Sequence, residues 1–227
     1  MAAFKQHITV STTLGAVYTA SLIYLGTEWS LAALGGVLCG IGGMLPDLDS
    51  DSGRPVAEIF GITAALLPML LLQRLRDMGL TREAIILSLI GCYFTFRFGA
   101  PLILGVLTVH RGMFHSIPAA LIAAEIVFLA HKTTDVAGSI KLGLGVLIGF
   151  LSHLVMDELW SVNLSGISIR LNKAAGSALK LFSPSLGATF CAYVILAALT
   201  YLVGVREGYF APVQLPFPGV TASLMGP

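Results

Sequence analysis

Three aspartates, Asp47, Asp49 and Asp51, occupy alternate positions in the stretch GGMLPDLDSDSGRP, residues 42–55. The chain around them is 56% hydrophobic and only 11% charged, and a carboxylate is costly to bury unless a cation or hydrogen-bond donors compensate it. Carboxylates at this density coordinate divalent cations or serve as general bases. The stretch therefore indicates a metal centre as the first hypothesis to examine.

Nitrogen ligands are available near the ends of other apolar segments. His7 begins the first segment, the stretch HRGMFHS contains His110 and His115, and the stretch SHLVMDE contains His153 and Asp157. A histidine and an aspartate four positions apart lie on one face of a helix, one turn from each other, so His153 and Asp157 are able to hold the same cation. A hydrogen-bonded pair without a metal is the other interpretation of this spacing.

A turn is predicted after His110, because five positions along a continuous helix would separate its side chain from that of His115 by about 140°. Gly112 lies between the two histidines. Ser116 is expected to cap the next helix, and Pro118 is tolerated in the first turn of that helix. Such a turn would direct both rings at one point. Otherwise the two histidines are polar residues at the level of the lipid headgroups.

The elements that must position these residues are membrane helices. A mean hydropathy of +0.88 is more than a soluble domain of 227 residues needs for its core, and a membrane span takes about 20 mostly apolar residues. The sequence predicts an all-α, polytopic transmembrane bundle that forms a single integral membrane domain, residues 1–227, with a metal site at one end. The seven predicted spans are 7–26, 30–45, 57–72, 83–109, 115–131, 138–156 and 187–205.

The second span is crowded with small residues, which let helix backbones approach closely in a membrane. These are Gly35, Gly36, Gly40, Gly42 and Gly43. They predict tight helix packing and carry no chemistry of their own.

The order of the spans predicts that the candidate ligands share one face of the membrane. Counted by crossings, the N-terminus and the loops after the second, fourth and sixth spans lie on the same side, and every candidate ligand belongs to one of these regions. The parity requires the fourth segment, which contains Arg97 and Pro101, to be one span. Arg97 is expected to pair with Glu125 of the fifth span, since both lie about 15–18 Å from the same surface.

The donor set favours zinc, manganese or iron over magnesium and calcium, which prefer oxygen ligands alone. It exceeds the three protein ligands of a typical mononuclear catalytic zinc site, so two divalent ions are expected, with zinc the first choice. The candidate ligands are His7, Asp47, Asp49, His110, His115, His153 and Asp157. A net charge of +1 gives no reason to expect nucleic acid as a partner.

Two other interpretations of the aspartate stretch remain. The aspartates and Glu58 match the acidic positions of an EF-hand calcium loop, but Ser52 stands where that loop needs its invariant glycine. Alternatively, the stretch is a solvated turn in which an aspartate caps a helix and Asp51 pairs with Arg54.

The motifs MLPDLD, HRGMFHS and GFLSHLVMDE resemble the P-D-L-D, H-R-G-x-T-H-S and G-x-x-S-H-x-x-x-D motifs of the YdjM-like, LexA-regulated, membrane-bound metal-dependent hydrolases. His7 matches the early histidine of that family, and the resemblance covers about residues 7–157. It implies a hydrolase with these residues as metal ligands or their close supports: Asp47, Asp49, His110, His115, His153 and Asp157. Phe114 departs from the family's Thr.

The family is itself more remotely similar to the zinc-dependent phospholipase C and P1 nuclease group. Residues 158–227 match the family weakly, apart from GSALKLFSP, residues 176–184, which is expected to lie over the site.

The resulting hypothesis is a hydrolase of the bacterial inner membrane that cleaves a phosphoester with metal-activated water. Arg54 and Arg111 would bind the phosphate, and Asp51 would act as general base. The expected partners are membrane lipids and an amphipathic substrate such as a phospholipid or polyprenyl phosphate. A metal-coupled or proton-coupled transporter is the alternative from another class, and a non-catalytic membrane protein with a structural metal is the third.

Overall fold

The computed structural model describes residues 4–49, 53–99, 113, 115–131, 135–165, 168–171, 180–183 and 185–212. These residues form seven α-helices, with one helix in each predicted span, so the helical architecture is confirmed. The helices are α1 (Phe4–Tyr24), α2 (Trp29–Gly42), α3 (Gly53–Asp77), α4 (Arg82–Phe94), α5 (Ile117–Ala130), α6 (Val136–Ser161) and α7 (Leu186–Arg206). A 3-10 helix, Leu45–Asp49, follows α2, and a π-helical turn, Thr95–Gly99, follows α4.

A small antiparallel hairpin departs from the all-α prediction. It directly follows α6, and its strands are β1 (Val162–Ser165) and β2 (Ser168–Leu171). Both strands alternate polar and aliphatic residues, the period-2 pattern of a strand, but each is only four residues long. Such a short alternation carries too little signal to predict a strand in a chain of apolar helices.

Three stretches of the described chain are long and apolar enough to cross a membrane: Trp29–Asp47, Val136–Trp160 and Leu186–Arg206. Helix α5 is apolar but has only 14 residues, about 21 Å of rise. Helix α1 has 21 residues, but hydroxyl side chains recur along it and lower its hydropathy.

Helices α1, α2 and α6 pack against one another through glycines. A Cβ on Gly42 would overlap the carbonyl oxygen of Val146, and a Cβ on Gly149 would overlap the carbonyl oxygen of Cys39. The predicted tight packing of the glycine-rich span is therefore confirmed. Close approach brings the helix backbones into van der Waals contact, which is the main source of helix association where lipid supplies no hydrophobic drive.

Polar side chains reinforce this three-helix unit. The Ser11 hydroxyl donates to the Gly40 carbonyl at 3.1 Å, joining α1 to α2, and the Tyr18 hydroxyl donates to the Lys141 carbonyl at 2.7 Å, joining α1 to α6. Helix α6 then packs aliphatic and aromatic core residues against α2, α3 and α5. One cluster of that core contains Leu38, Leu70, Ala130, Leu142 and Val146.

The predicted ion pair between Arg97 and Glu125 is wrong, since no ion pair joins these two described residues. Glu125 instead accepts a hydrogen bond from the Thr200 hydroxyl of α7 at 2.8 Å, and the Arg97 guanidinium lies over the Phe98 ring, 5.3 Å from its centroid. The reason is that α5 packs on α6 and α7, whereas α4 and its π-helical turn pack on α3. Helices α4 and α5 follow each other in the chain but therefore pack on different partners.

Two arginines hold the C-terminal end of α5. Arg74 of α3 donates to the Leu129 carbonyl at 2.9 Å, and Arg206 of α7 donates to the Phe128 carbonyl. Cations at this position complement the negative end of the helix dipole.

Replacing Gly149 with Ala tests the close packing of α2 and α6. The new methyl group would overlap the Cys39 carbonyl and approach the Gly43 nitrogen to 2.9 Å, so we expect the free energy of unfolding to fall by about 2 kcal/mol or more. Unfolding of the purified protein in detergent measures this. Gly91→Ala is the matched control, because nothing lies within 4 Å of that position, and alanine should be neutral or stabilising in α4. Equal stability of the two variants would contradict the packing.

Candidate metal centre

Five predicted ligand side chains from four separate segments lie together at one end of the bundle. His7 lies in the first turn of α1, Asp47 in the 3-10 helix after α2, and His115 just before α5, while His153 and Asp157 lie on α6. The helices bring them together because α1 begins, and α2 and α6 end, at this end of the three-helix unit. Ser116 accepts a hydrogen bond from the Ala119 nitrogen, so the predicted helix cap beside His115 is confirmed.

The orientation of the His153 ring is set by a backbone carbonyl. Its Nδ1 lies 2.8 Å from the oxygen of Gly43, and because a carbonyl only accepts, Nδ1 carries the hydrogen. The neutral ring therefore has its lone pair on Nε2, which faces the carboxylates of Asp47 and Asp157. An outer partner of this kind fixes the tautomer of metal-binding histidines generally.

The distances from His153 Nε2 suit ligands that share a cation. They are 3.6 Å to Asp157 Oδ2 and 3.7 Å to Asp47 Oδ1, too long for hydrogen bonds. Two ligand atoms of a tetrahedral zinc, with bonds near 2.1 Å, lie about 3.4 Å apart. The two carboxylate oxygens are thus close to the separation that coordination would impose.

Asp157 is the residue around which the three imidazoles gather. His7 Nε2 lies 3.2 Å from Asp157 Oδ1, whereas Oδ2 faces His153 at 3.6 Å and His115 Nε2 at 3.9 Å. The rings of His7 and His153 are stacked, with centroids 3.6 Å apart and planes 14° from parallel. The two oxygens of one carboxylate therefore point towards different imidazoles.

Two groups of three residues each have ligand atoms within 4.8 Å of one another. The inner group is His7, His153 and Asp157, all buried, and the outer group is Asp47, His115 and His153. The outer side is more accessible, since the side chains of Asp47 and His115 are 21% and 15% exposed. The cluster thus has a closed inner side and an open outer side.

The buried atoms fit a divalent cation. Among the described residues, His7 Nδ1 and His153 Nε2 have no hydrogen-bond partner, although both are buried, and such atoms are expensive unless something satisfies them. With neutral imidazoles, the carboxylates of Asp47 and Asp157 bring two negative charges into a largely buried cluster. A divalent cation would neutralise both.

Other predicted site residues are not part of this geometry. Asp51, His110 and Arg111 lie outside the described residues, as do the side chains of Asp49 and Arg54. Their predicted roles stay predictions.

Two residues beside the cluster, Gly43 and Lys180, were not predicted from the sequence to take part in it. Gly43 supplies the carbonyl that orients His153, and its only signal was its membership of the glycine-rich span. Lys180 forms a parallel β-bridge with Ser116, and its carbonyl accepts from the Ile117 nitrogen at 3.2 Å. The described end of GSALKLFSP thus contacts the residue next to His115, in agreement with its expected position near the site.

The chain matches the family model described as YdjM inner membrane protein over residues 1–203. No curated protein and no solved structure matches it. The match spans most of the chain, so the protein belongs to the YdjM inner membrane protein family and is a membrane protein with apolar spanning helices. The match also extends past residues 7–157, which carry the motifs, and includes α7.

Metal titration tests the cluster independently of activity. His153→Ala removes the imidazole that belongs to both groups and Asp157→Asn removes the central charge. Each should therefore weaken Zn²⁺ binding at least tenfold, measured by equilibrium dialysis and elemental analysis of purified protein. His131→Ala is the control, because this histidine lies at the opposite end of the bundle and contacts Ser139 instead. Equal loss in the control, or no binding by the unmodified protein, would contradict a metal site in this cluster.

Proposed function

We propose that this member of the YdjM inner membrane protein family is a membrane-embedded, metal-dependent hydrolase that cleaves a phosphoester. The observation that carries the proposal is the convergence of three imidazoles and two carboxylates at one end of the bundle, with the His153 lone pair turned inward by Gly43. A cluster that only capped a helix would need neither a histidine that belongs to both groups nor a partly exposed outer side.

The donor set supports zinc first, with manganese or iron as alternatives. Two ions are proposed, because the two oxygens of Asp157 face different imidazoles and would be available to different ions. When bound, a pair of such ions lowers the pKa of water and stabilises the charge that develops on a phosphoryl group.

The five ligand residues have different roles according to their burial. His7, His153 and Asp157 are buried and would hold the inner side of the site. Asp47 and His115 are partly exposed, so the phosphoester would approach from their side.

The groups nearest the substrate are proposed from sequence position alone. Asp51 would accept a proton from the attacking water, and Arg54 and Arg111 would bind the phosphate oxygens.

The position of the cluster supports an amphipathic substrate. It lies at the end of helices that carry many exposed apolar side chains, so a phosphate at the membrane surface would reach it while its lipid tail stays in the bilayer. A phospholipid or a polyprenyl phosphate has this form.

A seven-span topology completes the proposal, and single cysteines in a background without native cysteines test it. Cysteines at Lys5, Gly112 and Asn163 should react with an impermeant reagent from one side of sealed vesicles. Met78→Cys, in the loop between α3 and α4, should react from the other side. Labelling of the first three from different sides would separate the ligands and exclude a common site.

Activity measurements separate hydrolase, transporter and structural protein. With zinc-loaded protein in mixed micelles, Asp157→Asn and His115→Ala should each lower kcat for a phospholipid or polyprenyl phosphate at least 100-fold. The double variant should lose little more, because the residues act as one unit. Chelation should abolish phosphate release and zinc should restore it, with the helical content unchanged.

Other outcomes assign the protein to another class. Zinc-dependent flux into vesicles without phosphate release would indicate a transporter. A lower melting temperature on chelation, with no turnover for either lipid or for a water-soluble phosphomonoester, would indicate a structural metal.

A further inference from the structure

A cavity of about 590 Å³ lies between α3 and α4, beside the turn that joins them. It is open along one side, as a groove on the helix surface is. Helix α3 starts just after the 3-10 helix that carries Asp47 and rises about 37 Å over its 25 residues, so the cavity lies at the opposite end of the bundle from the metal centre. The lining residues are Leu72, Arg76, Leu80, Arg82, Ile85, Ile86 and Leu89.

The turn beside the cavity is well defined. The Met78 nitrogen donates to the Arg74 carbonyl at 3.1 Å, and the Gly79 nitrogen donates to the Arg76 carbonyl at 2.9 Å. Gly79 has a φ of +70°, a conformation that favours glycine and ends α3. The Thr81 hydroxyl accepts from the Ala84 nitrogen and begins α4. Two capped helix ends therefore hold Arg76 and Arg82 on either side of the turn.

Both arginines are available to bind an anion. Among the described residues neither Arg76 nor Arg82 forms an ion pair, and both are exposed. The nearby acids do not line the cavity: Asp77 accepts a hydrogen bond from the Gln73 side chain, and Glu83 lies in the first turn of α4. A guanidinium group binds phosphate oxygens through paired N–H donors, and two such groups line this one cavity.

The polarity of the cavity changes along the helices. Leu72 lies four residues before Arg76, and Leu89 lies seven residues after Arg82, so they are about 6 and 10 Å further from the turn. Helices α3 and α4 run in opposite directions, so both displacements point the same way, into the bundle. Charge at the end near the turn and aliphatic side chains further in form an amphipathic site.

We propose that this cavity binds one anionic phospholipid, whose phosphate lies between Arg76 and Arg82 and whose acyl chain packs along Leu72, Ile86 and Leu89. A soluble phosphate would use the two arginines but leave the aliphatic wall uncovered, and a zwitterionic lipid would bring a cation towards the guanidinium groups. The proposal does not depend on the hydrolase function, because none of the metal-cluster residues lines the cavity.

Lipid titration of the full-length protein in a non-ionic detergent tests the proposal, with native mass spectrometry as the readout and a chelator present so that no turnover interferes. Long-chain phosphatidylglycerol should bind at one tight site, and Arg76→Gln and Arg82→Gln should each raise its Kd about tenfold. Lys5→Gln removes the same charge from an exposed position at the other end and should leave the Kd unchanged. Circular dichroism and melting temperature check that each variant is folded.

Two further ligands distinguish the source of the phosphate. Glycerol 1-phosphate should bind at least tenfold more weakly than phosphatidylglycerol, and phosphatidylcholine should not compete with it. Equal binding of glycerol 1-phosphate would overturn the proposal of a lipid, since the aliphatic wall would then contribute nothing to binding. Equal binding of phosphatidylcholine, or unchanged binding in both arginine variants, would overturn the proposal.

Discussion

The close approach of α2 and α6 at Gly43 and Gly149 is the contact on which the rest of the structure depends. Only a residue without a Cβ lets the two backbones meet there, and the same approach places the Gly43 carbonyl 2.8 Å from His153 Nδ1. The packing of α2 on α6 therefore also sets the tautomer of His153. If the helices were separated by even a methyl group, the ring would lose the acceptor that turns its lone pair towards Asp157.

The two ends of the bundle carry charges of opposite sign. At one end, carboxylates and neutral imidazoles are gathered in a largely buried cluster, which is costly in an apolar environment until a cation enters it. At the other end, Arg74 and Arg206 meet the carbonyls at the end of α5, while Arg76 and Arg82 form no ion pair with any carboxylate in the part of the chain that the structure describes. The fold thus places the carboxylates of the metal centre at one end of the bundle and these arginines at the other.

Much of the candidate site followed from local patterns in the sequence. The four-residue spacing of His153 and Asp157 placed both on one helix face, and Ser116 with Pro118 predicted the helix start that orients the chain after His115. These inferences depend on the helical period and on capping, which operate within one or two turns. The pairing of Arg97 with Glu125 failed, because depth in a membrane says nothing about which face of a helix meets which neighbour.

By itself the sequence determined the helices, their approximate ends and the residue types available for chemistry, because hydropathy and capping are properties of short segments. Only the tertiary structure decided which segments touch: α5 against α7, so that Glu125 bonds Thr200, and α6 against α2, so that His153 bonds Gly43. It also decided the stacking of His7 on His153, two residues far apart in the chain. These contacts depend on close packing between distant segments, and packing is set by the shapes of whole helix faces rather than by the spacing of residues along any one of them.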